Sequence, residues 1–151
     1  MKEQVAYLDS SAIIKRYIRE AGSDIIKQLY QKAHIGEVKL CFSVWNIGEV
    51  LGALDRAVRK GKLAEEEHAI ARRRFLLETG RLMRLKLLLV APFKGRLLFE
   101  AWRIIEEHHI YQADALQIAT AKHVACTKFL TGDVGLHNIA LREGLNSICL
   151  S

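Results

Sequence analysis

Short apolar runs alternate with amphipathic stretches along the whole chain, and this alternation predicts strands separated by helices. Val5–Leu8 is an apolar run closed by Asp9-Ser10-Ser11, which reads as a strand leading into a helix N-cap. Helical spacing follows through Ile13, Ile14, Tyr17 and Ile18, and a second helix is expected from Ser23 to near Gly36. Residues 38–44 read as the next strand. Ile47, Val50, Leu51, Leu54 and Val58 then form one stripe at a 3.6-residue period, a helix that should stop by Gly61. A long basic helix is expected from 63 to about 79, with Gly80 as its stop, followed by a strand over 85–90. Helices over 93–109 and 111–124, a strand at Lys128–Thr131, a helix over about 134–144 and a strand over 146–150 complete the order. Strands that are nearly all apolar and separated by helices mean a parallel sheet covered on both faces. The expected fold is α/β, a three-layer α/β/α sandwich with a mainly parallel central sheet.

With 151 residues, half of them hydrophobic and 26% charged, the chain suits a single globular domain over 1–151, and general disorder is excluded. One proline and ten glycines argue against linker-rich or low-complexity architecture. Cys41, Cys126 and Cys149 lie in apolar surroundings without C-x-x-C spacing, which fits buried thiols in a reducing compartment better than zinc or redox work. The longest uninterrupted apolar run, residues 87–93, is far short of a membrane span, and the first residues lack a signal-peptide h-region. A soluble, cytoplasmic protein is expected.

Charge changes this picture through its location. Residues 56–86 hold ten Lys/Arg against four Glu, and the remainder of the chain holds equal numbers of basic and acidic side chains. One stretch therefore carries the whole excess of +6, which suggests an anionic partner or a solvated helix face. Arg72, Arg73, Arg74, Arg81 and Arg84 are the candidate contacts. The three consecutive arginines fan over about 200° of a helix and cannot all face one ligand. Phe75 is the only aromatic residue in the stretch, so phosphate contact rather than base stacking is the expected mode there.

Ligands of open α/β sheets bind beyond the carboxyl ends of the strands, and two acids fall there: Asp9 after the first strand and Asp133 after Lys128–Thr131. Taken singly, each also reads as a cap of the helix that follows. Asp114 lies in the first turn of a helix, where the dipole favours a carboxylate. Glu49 lies opposite the apolar stripe of its helix, near Trp45, Gly52 and Ala53, a position that also suits a solvent-facing glutamate. Ser11 and Thr131 are hydroxyls that can orient a carboxylate or phosphate, or serve as local caps.

Taken together, four segments resemble one family. Tyr7-Leu8-Asp9-Ser10-Ser11-Ala12-Ile13-Ile14-Lys15-Arg16-Tyr17, with Glu20 and Gly22 following, resembles the opening of PIN-domain nucleases, most closely the VapC-type toxins of toxin–antitoxin pairs. Asn46-Ile47-Gly48-Glu49-Val50 resembles the segment supplying that family's second acid. Asp114-Ala115-Leu116-Gln117-Ile118-Ala119-Thr120-Ala121 resembles the third, and Phe129-Leu130-Thr131-Gly132-Asp133 the fourth. The resemblance implies a metal-dependent endoribonuclease in which Asp9, Glu49, Asp114 and Asp133 hold Mg²⁺ or Mn²⁺, supported by Ser11 and Thr131. It also implies an RNA substrate, an antitoxin partner that the basic stretch can dock, and a homodimer.

Other readings remain at this point. Glu65-x-x-His68 and Glu106-x-x-His109 have the spacing of di-iron helix bundles, which the strand runs contradict. No G-x-G-x-x-G or G-x-x-x-x-G-K-[ST] provides a nucleotide cradle. A catalytically silent PIN-like module that binds RNA or protein is the main alternative.

Overall fold

The computed structural model describes residues 3–151. Its elements run β1 (Val5–Leu8), α1 (Ser10–Ile14), α2 (Ser23–His34), β2 (Lys39–Ser43), α3 (Val44–Arg59), α4 (Glu65–Arg84), β3 (Leu88–Ala91), α5 (Gly95–His108), α6 (Gln112–His123), β4 (Lys128–Thr131), α7 (Val134–Arg142) and β5 (Ser147–Cys149). The strands form a five-stranded sheet in the order β3-β2-β1-β4-β5, and every pair in it is parallel. Tyr7 pairs with Cys41 on one side and with Phe129 on the other, which puts β1 in the middle.

Strand alternation divides the core into two layers. Ala6, Leu8, Leu40, Phe42 and Leu130 face one side, packed by Ile13 of α1, Ile26 and Tyr30 of α2, Val50 and Leu54 of α3, and Phe75 and Leu82 of α4. Tyr7, Cys41 and Phe129 face the other, packed by Ala101 and Ile104 of α5, Ala115 and Ile118 of α6, and Leu136 and Ala140 of α7. This is the expected α/β/α sandwich. The parallel sheet also removes the di-iron bundle reading, which requires helices alone.

Three boundaries differ by more than two residues from those read in the sequence. The first helix ends at Ile14, because the amides of Lys15, Arg16 and Tyr17 bond three residues back to Ala12, Ile13 and Ile14. That tighter turn carries Arg16 and Tyr17 to Glu78 on α4. Gly80 does not end α4. Its φ is not positive, and Ala71, Phe75, Thr79 and Leu82 continue one buried stripe across it, so packing overrides the glycine. The chain turns instead at Lys86, whose φ is +59°, and β3 begins three residues later than the apolar run suggested. The thiols also differ in part. Cys41 is buried, while Cys126 and Cys149 are half-buried, and all three are free.

Candidate functional site

Strand order places the chemistry. From β1 the chain steps outward through β2 to β3, then returns to the other side of β1 as β4, so direction reverses between β1 and β4. A crevice opens at such a switch point, outside the carboxyl ends of the strands. Asp9 leaves β1 there and Asp133 follows β4 there, with the Asp9 amide donating to the Leu130 carbonyl at 3.2 Å.

Asp9 is only 5% exposed and is held on every side. Its Oδ1 accepts from Ser11 Oγ at 2.6 Å and from the Ala12 amide at 2.9 Å, and its Oδ2 accepts from Thr131 Oγ1 at 2.5 Å. Burial pushes its carboxyl above the usual range, and Asp133 adds to this, while those three donors pull it down. Asp133 accepts from the Leu136 amide at 3.1 Å and caps α7. The cap reading and the crevice reading therefore hold together: both aspartates cap a helix, and both line the same opening. Ser11 and Thr131 likewise combine the two roles. Ser11 Oγ accepts from the Gly132 amide at 2.8 Å, and Thr131 Oγ1 accepts from the Asp133 amide at 3.0 Å. Gly132 has no room for a side chain, since a Cβ there would lie 2.9 Å from Lys15 Cε and 3.3 Å from Ser11 Oγ.

Glu49 is half-buried on α3 and turns inward, away from the solvent-facing alternative. Its Oε1 accepts from Ser10 Oγ at 2.7 Å and from Asn46 Nδ2 at 3.3 Å, and Asn46 Nδ2 also donates to Ser10 Oγ at 2.9 Å. Asn46 is fully buried and accepts from the Ser43 amide at 2.7 Å, closing a capping box at the start of α3. Asp114, in the first turn of α6, makes no side-chain hydrogen bond among the described residues. Burial pushes it up to about 6, with Asp133, Asp9 and Glu49 adding to the rise. Asp133, Asp9 and Glu49 thus all act on the charge of Asp114 at this crevice.

Ser10, Asn46 and Lys15 belong to this arrangement and were not singled out from the sequence. Ser43-Val44-Trp45-Asn46 carries the spacing of a hydroxyl followed three residues later by an amide, which is a signal for the capping box. Lys15 is buried, lies against Gly132 and pairs with Glu20 at 3.0 Å. One further buried group stays incomplete. Gln117, one turn past Asp114, accepts from Tyr7 Oη at 2.7 Å, but its Nε2 has no partner among the described residues.

An all-oxygen set of carboxylates fits a hard divalent cation. The spacing is open. Among the described residues the only His/Cys/Asp/Glu trio with ligand atoms mutually within 4.8 Å is Glu107, His108 and Glu143, away from these acids. That trio is already engaged: Glu143 accepts from Arg103 at 2.6 Å, from His108 at 2.8 Å and from Lys122 at 3.1 Å, which holds its carboxyl down to about 2. It reads as an ion-pair network. The open spacing of Asp9, Glu49, Asp114 and Asp133 suits a small cation that keeps several waters and binds through few carboxylates.

Arg72, Arg73, Arg74, Arg81 and Arg84 are all exposed on α4, and none bonds to the four acids. Arg74 lies over the Tyr17 ring at 5.7 Å. Phe75 is fully buried, so α4 presents no aromatic surface of that residue. Beside the arginines, Glu78 accepts both Arg16 nitrogens at 2.9 Å and Tyr17 Oη at 2.9 Å, which pins α4 to the chain after α1 and holds Glu78 down to about 2.

The family model described as PIN domain matches residues 6–141. No curated protein matches the chain by sequence. Among solved structures, FitAcB from Neisseria gonorrhoeae superposes with a TM-score of 0.67 at 16% identity, covering 95% of this chain and 96% of that one. VapC20 of Mycobacterium tuberculosis, a Sarcin-Ricin loop cleaving toxin, gives 0.63 at 16% identity over 93% and 95%. VapBC2 from Rickettsia felis, bound to a DNA fragment from its promoter, gives 0.65 at 12% identity over 98% and 100%. At these identities the likeness is one of fold.

Proposed function

The chain belongs to the PIN-domain family, and on that premise we propose that it is a metal-dependent endoribonuclease, the toxin of a VapBC-type toxin–antitoxin pair. The observation that carries this reading is the pair of acids at the carboxyl ends of β1 and β4, Asp9 and Asp133, joined through Thr131 within the PIN-domain match over residues 6–141, and Asp114 adds to it. A carboxyl raised to about 6 by burial and by Asp133, Asp9 and Glu49 belongs to a cluster that is unfavourable without a cation. Asp9, Glu49, Asp114 and Asp133 are the residues that would hold Mg²⁺ or Mn²⁺. Such an ion, when bound, neutralises the scissile phosphate, lowers the pKa of an attacking water and stabilises the leaving 3′-oxygen.

The chain's own residues prepare that chemistry. Ser11, Thr131 and the Ala12 amide orient the Asp9 carboxylate, and Ser10 with Asn46 orients Glu49. Asp114 has no such donors, so burial and the neighbouring acids alone set its carboxyl in the metal-free protein, raised to about 6.

We further propose one domain over 1–151, a homodimer, an antitoxin partner and action in the cytoplasm. No helix among the described residues is long and apolar enough to cross a membrane. The fold likeness to FitAcB and to VapBC2 supports the antitoxin, since the latter is a two-protein assembly on promoter DNA. The test is incubation of purified protein with total cellular RNA in Mg²⁺, in EDTA, and with Asp9→Asn. Discrete fragments that need the metal and vanish in the variant support the proposal. Salt-sensitive RNA binding without cleavage would replace it with a silent binding module.

A further inference from the structure

Where α5 and the end of α6 meet β3, an edge strand of the sheet, a cavity of about 290 Å³ opens. Leu89 and Ala91 of β3, Pro92 after it, Leu97 of α5 and Val124 after α6 form its apolar walls. Leu89 and Ala91 share one face of β3 by strand alternation, and with no strand beyond β3, Leu89 stays 41% exposed at the mouth. Thr120 is the one uncharged polar side chain in the lining, and its hydroxyl donates to the Leu116 carbonyl at 2.7 Å. The interior thus suits an apolar body and offers no free side-chain donor to the polar edge of a base or a sugar.

The rim is cationic. Lys94 Nζ lies 3.4 Å and Arg96 Nη2 3.2 Å from His123 Nε2, so two positive side chains converge on one imidazole nitrogen. A neutral imidazole offers a single lone pair there and can accept from only one of them. Neither Lys94 nor Arg96 has another hydrogen-bond or ion-pair partner among the described residues. Farther along the same two helices the cations are paired: Arg103 with Glu100, and Lys122 with Glu143. Like charges held together repel, and an anion seated between Lys94 and Arg96 turns that repulsion into attraction. No side chain caps α5 at Lys94, so the first amides of that helix also lack partners beside the same cations.

We propose that this cavity is a second ligand site, which takes a small carboxylic acid with an apolar body. The body lies against Leu89, Leu97 and Val124, and the carboxylate meets Lys94 and Arg96. The site shares no residue with the four acids. From Asp114 to His123 is nine residues of α6, about 14 Å of helix. The proposal therefore stands without the nuclease reading.

The test is calorimetric titration of octanoate into the purified protein, with acetate and 1-octanol as the probes that keep only the charge or only the body. Wild type should bind octanoate at least about tenfold more tightly than either. The double variant Lys94→Gln with Arg96→Gln should weaken octanoate about tenfold or more and leave octanol unchanged. Both side chains are exposed, so this variant should melt with wild type. Val124→Phe fills the cavity and should weaken octanoate and octanol together. Octanoate binding that is absent, or equal in wild type and the double variant, overturns the proposal. So does octanol binding as tightly as octanoate, which leaves the cations without a part, or acetate doing so, which leaves the cavity without one.

Discussion

Thr131 Oγ1 lies 2.5 Å from Asp9 Oδ2, a contact between residues 122 positions apart in the chain that joins the ends of β1 and β4. The same hydroxyl accepts the Asp133 amide, so one buried side chain orients one acid and fixes the turn that carries another. Thr131→Val keeps the shape and removes both bonds. Leaving a buried carboxylate and a backbone amide short of partners should cost about 1–3 kcal/mol in chemical denaturation. Losing a donor that pulls the Asp9 carboxyl down should also move the acidic limb of the pH–rate profile to higher pH. An unmoved limb would separate Thr131 from the chemistry.

Asp9 caps α1 and also faces the other acids, and two substitutions separate these roles. Asn is as good an N-cap as Asp and carries no charge, so Asp9→Asn should hold or raise the melting temperature of the metal-free protein while abolishing cleavage. Asp9→Ala loses the cap as well and should cost about 1 kcal/mol more than Asn. Equal destabilisation by Asn and Ala would count against relief of repulsion at this position.

Asp114 gives the metal-free protein a pH dependence of definite sign. Its folded pKa is raised from 3.8 to about 6, so the folded state binds more protons than the unfolded one between those values. Stability from this group is present below pH 4 and lost as pH rises through about 6. At one pKa unit per 1.36 kcal/mol the loss is at most about 3 kcal/mol, and solvent at this half-buried group reduces it. Asp114→Asn should therefore gain on wild type as metal-stripped samples are melted from pH 4 to pH 7. Glu78 and Glu143, both held near 2, contribute stability above pH 4.5 that is lost on acidification, equally in both proteins. A constant difference between variant and wild type would contradict the assignment.

The arginines of α4 should affect binding and leave folding alone. Arg72 and Arg73 are exposed and make no hydrogen bond or ion pair among the described residues, so Arg72→Gln with Arg73→Gln should change stability by no more than about 0.5 kcal/mol. If they meet phosphates, RNA affinity falls and the slope of log K against log salt drops by about 0.7 for each phosphate no longer neutralised. A pair that leaves RNA affinity intact but weakens antitoxin capture assigns this face to the protein partner.

Much of this arrangement was legible in the chain because parallel strands need near-continuous apolar runs, and Val5–Leu8 and Lys128–Thr131 end where the sequence placed them. Asp9 and Asp133 were found by the same logic, as acids just past strand ends. Glu49 was ambiguous since periodicity says only that it lies off the apolar stripe. Its partners Ser10 and Asn46 come from an element 39 residues away and from the first turn of its own helix. Gly80 misled because local propensity cannot report that Leu82 is buried beyond it.

Asp9, Glu49, Asp114 and Asp133 are expected to share one divalent cation. Calorimetric titration of Mn²⁺ into wild type, the four single variants Asp9→Asn, Glu49→Gln, Asp114→Asn and Asp133→Asn, and Glu143→Gln tests it without any substrate. Each of the four should weaken binding by about tenfold or more, worth at least about 1.4 kcal/mol, and Glu143→Gln should leave it unchanged. Binding that survives all four and disappears with Glu143→Gln would put the cation among Glu107, His108 and Glu143 and contradict a shared site at the four acids.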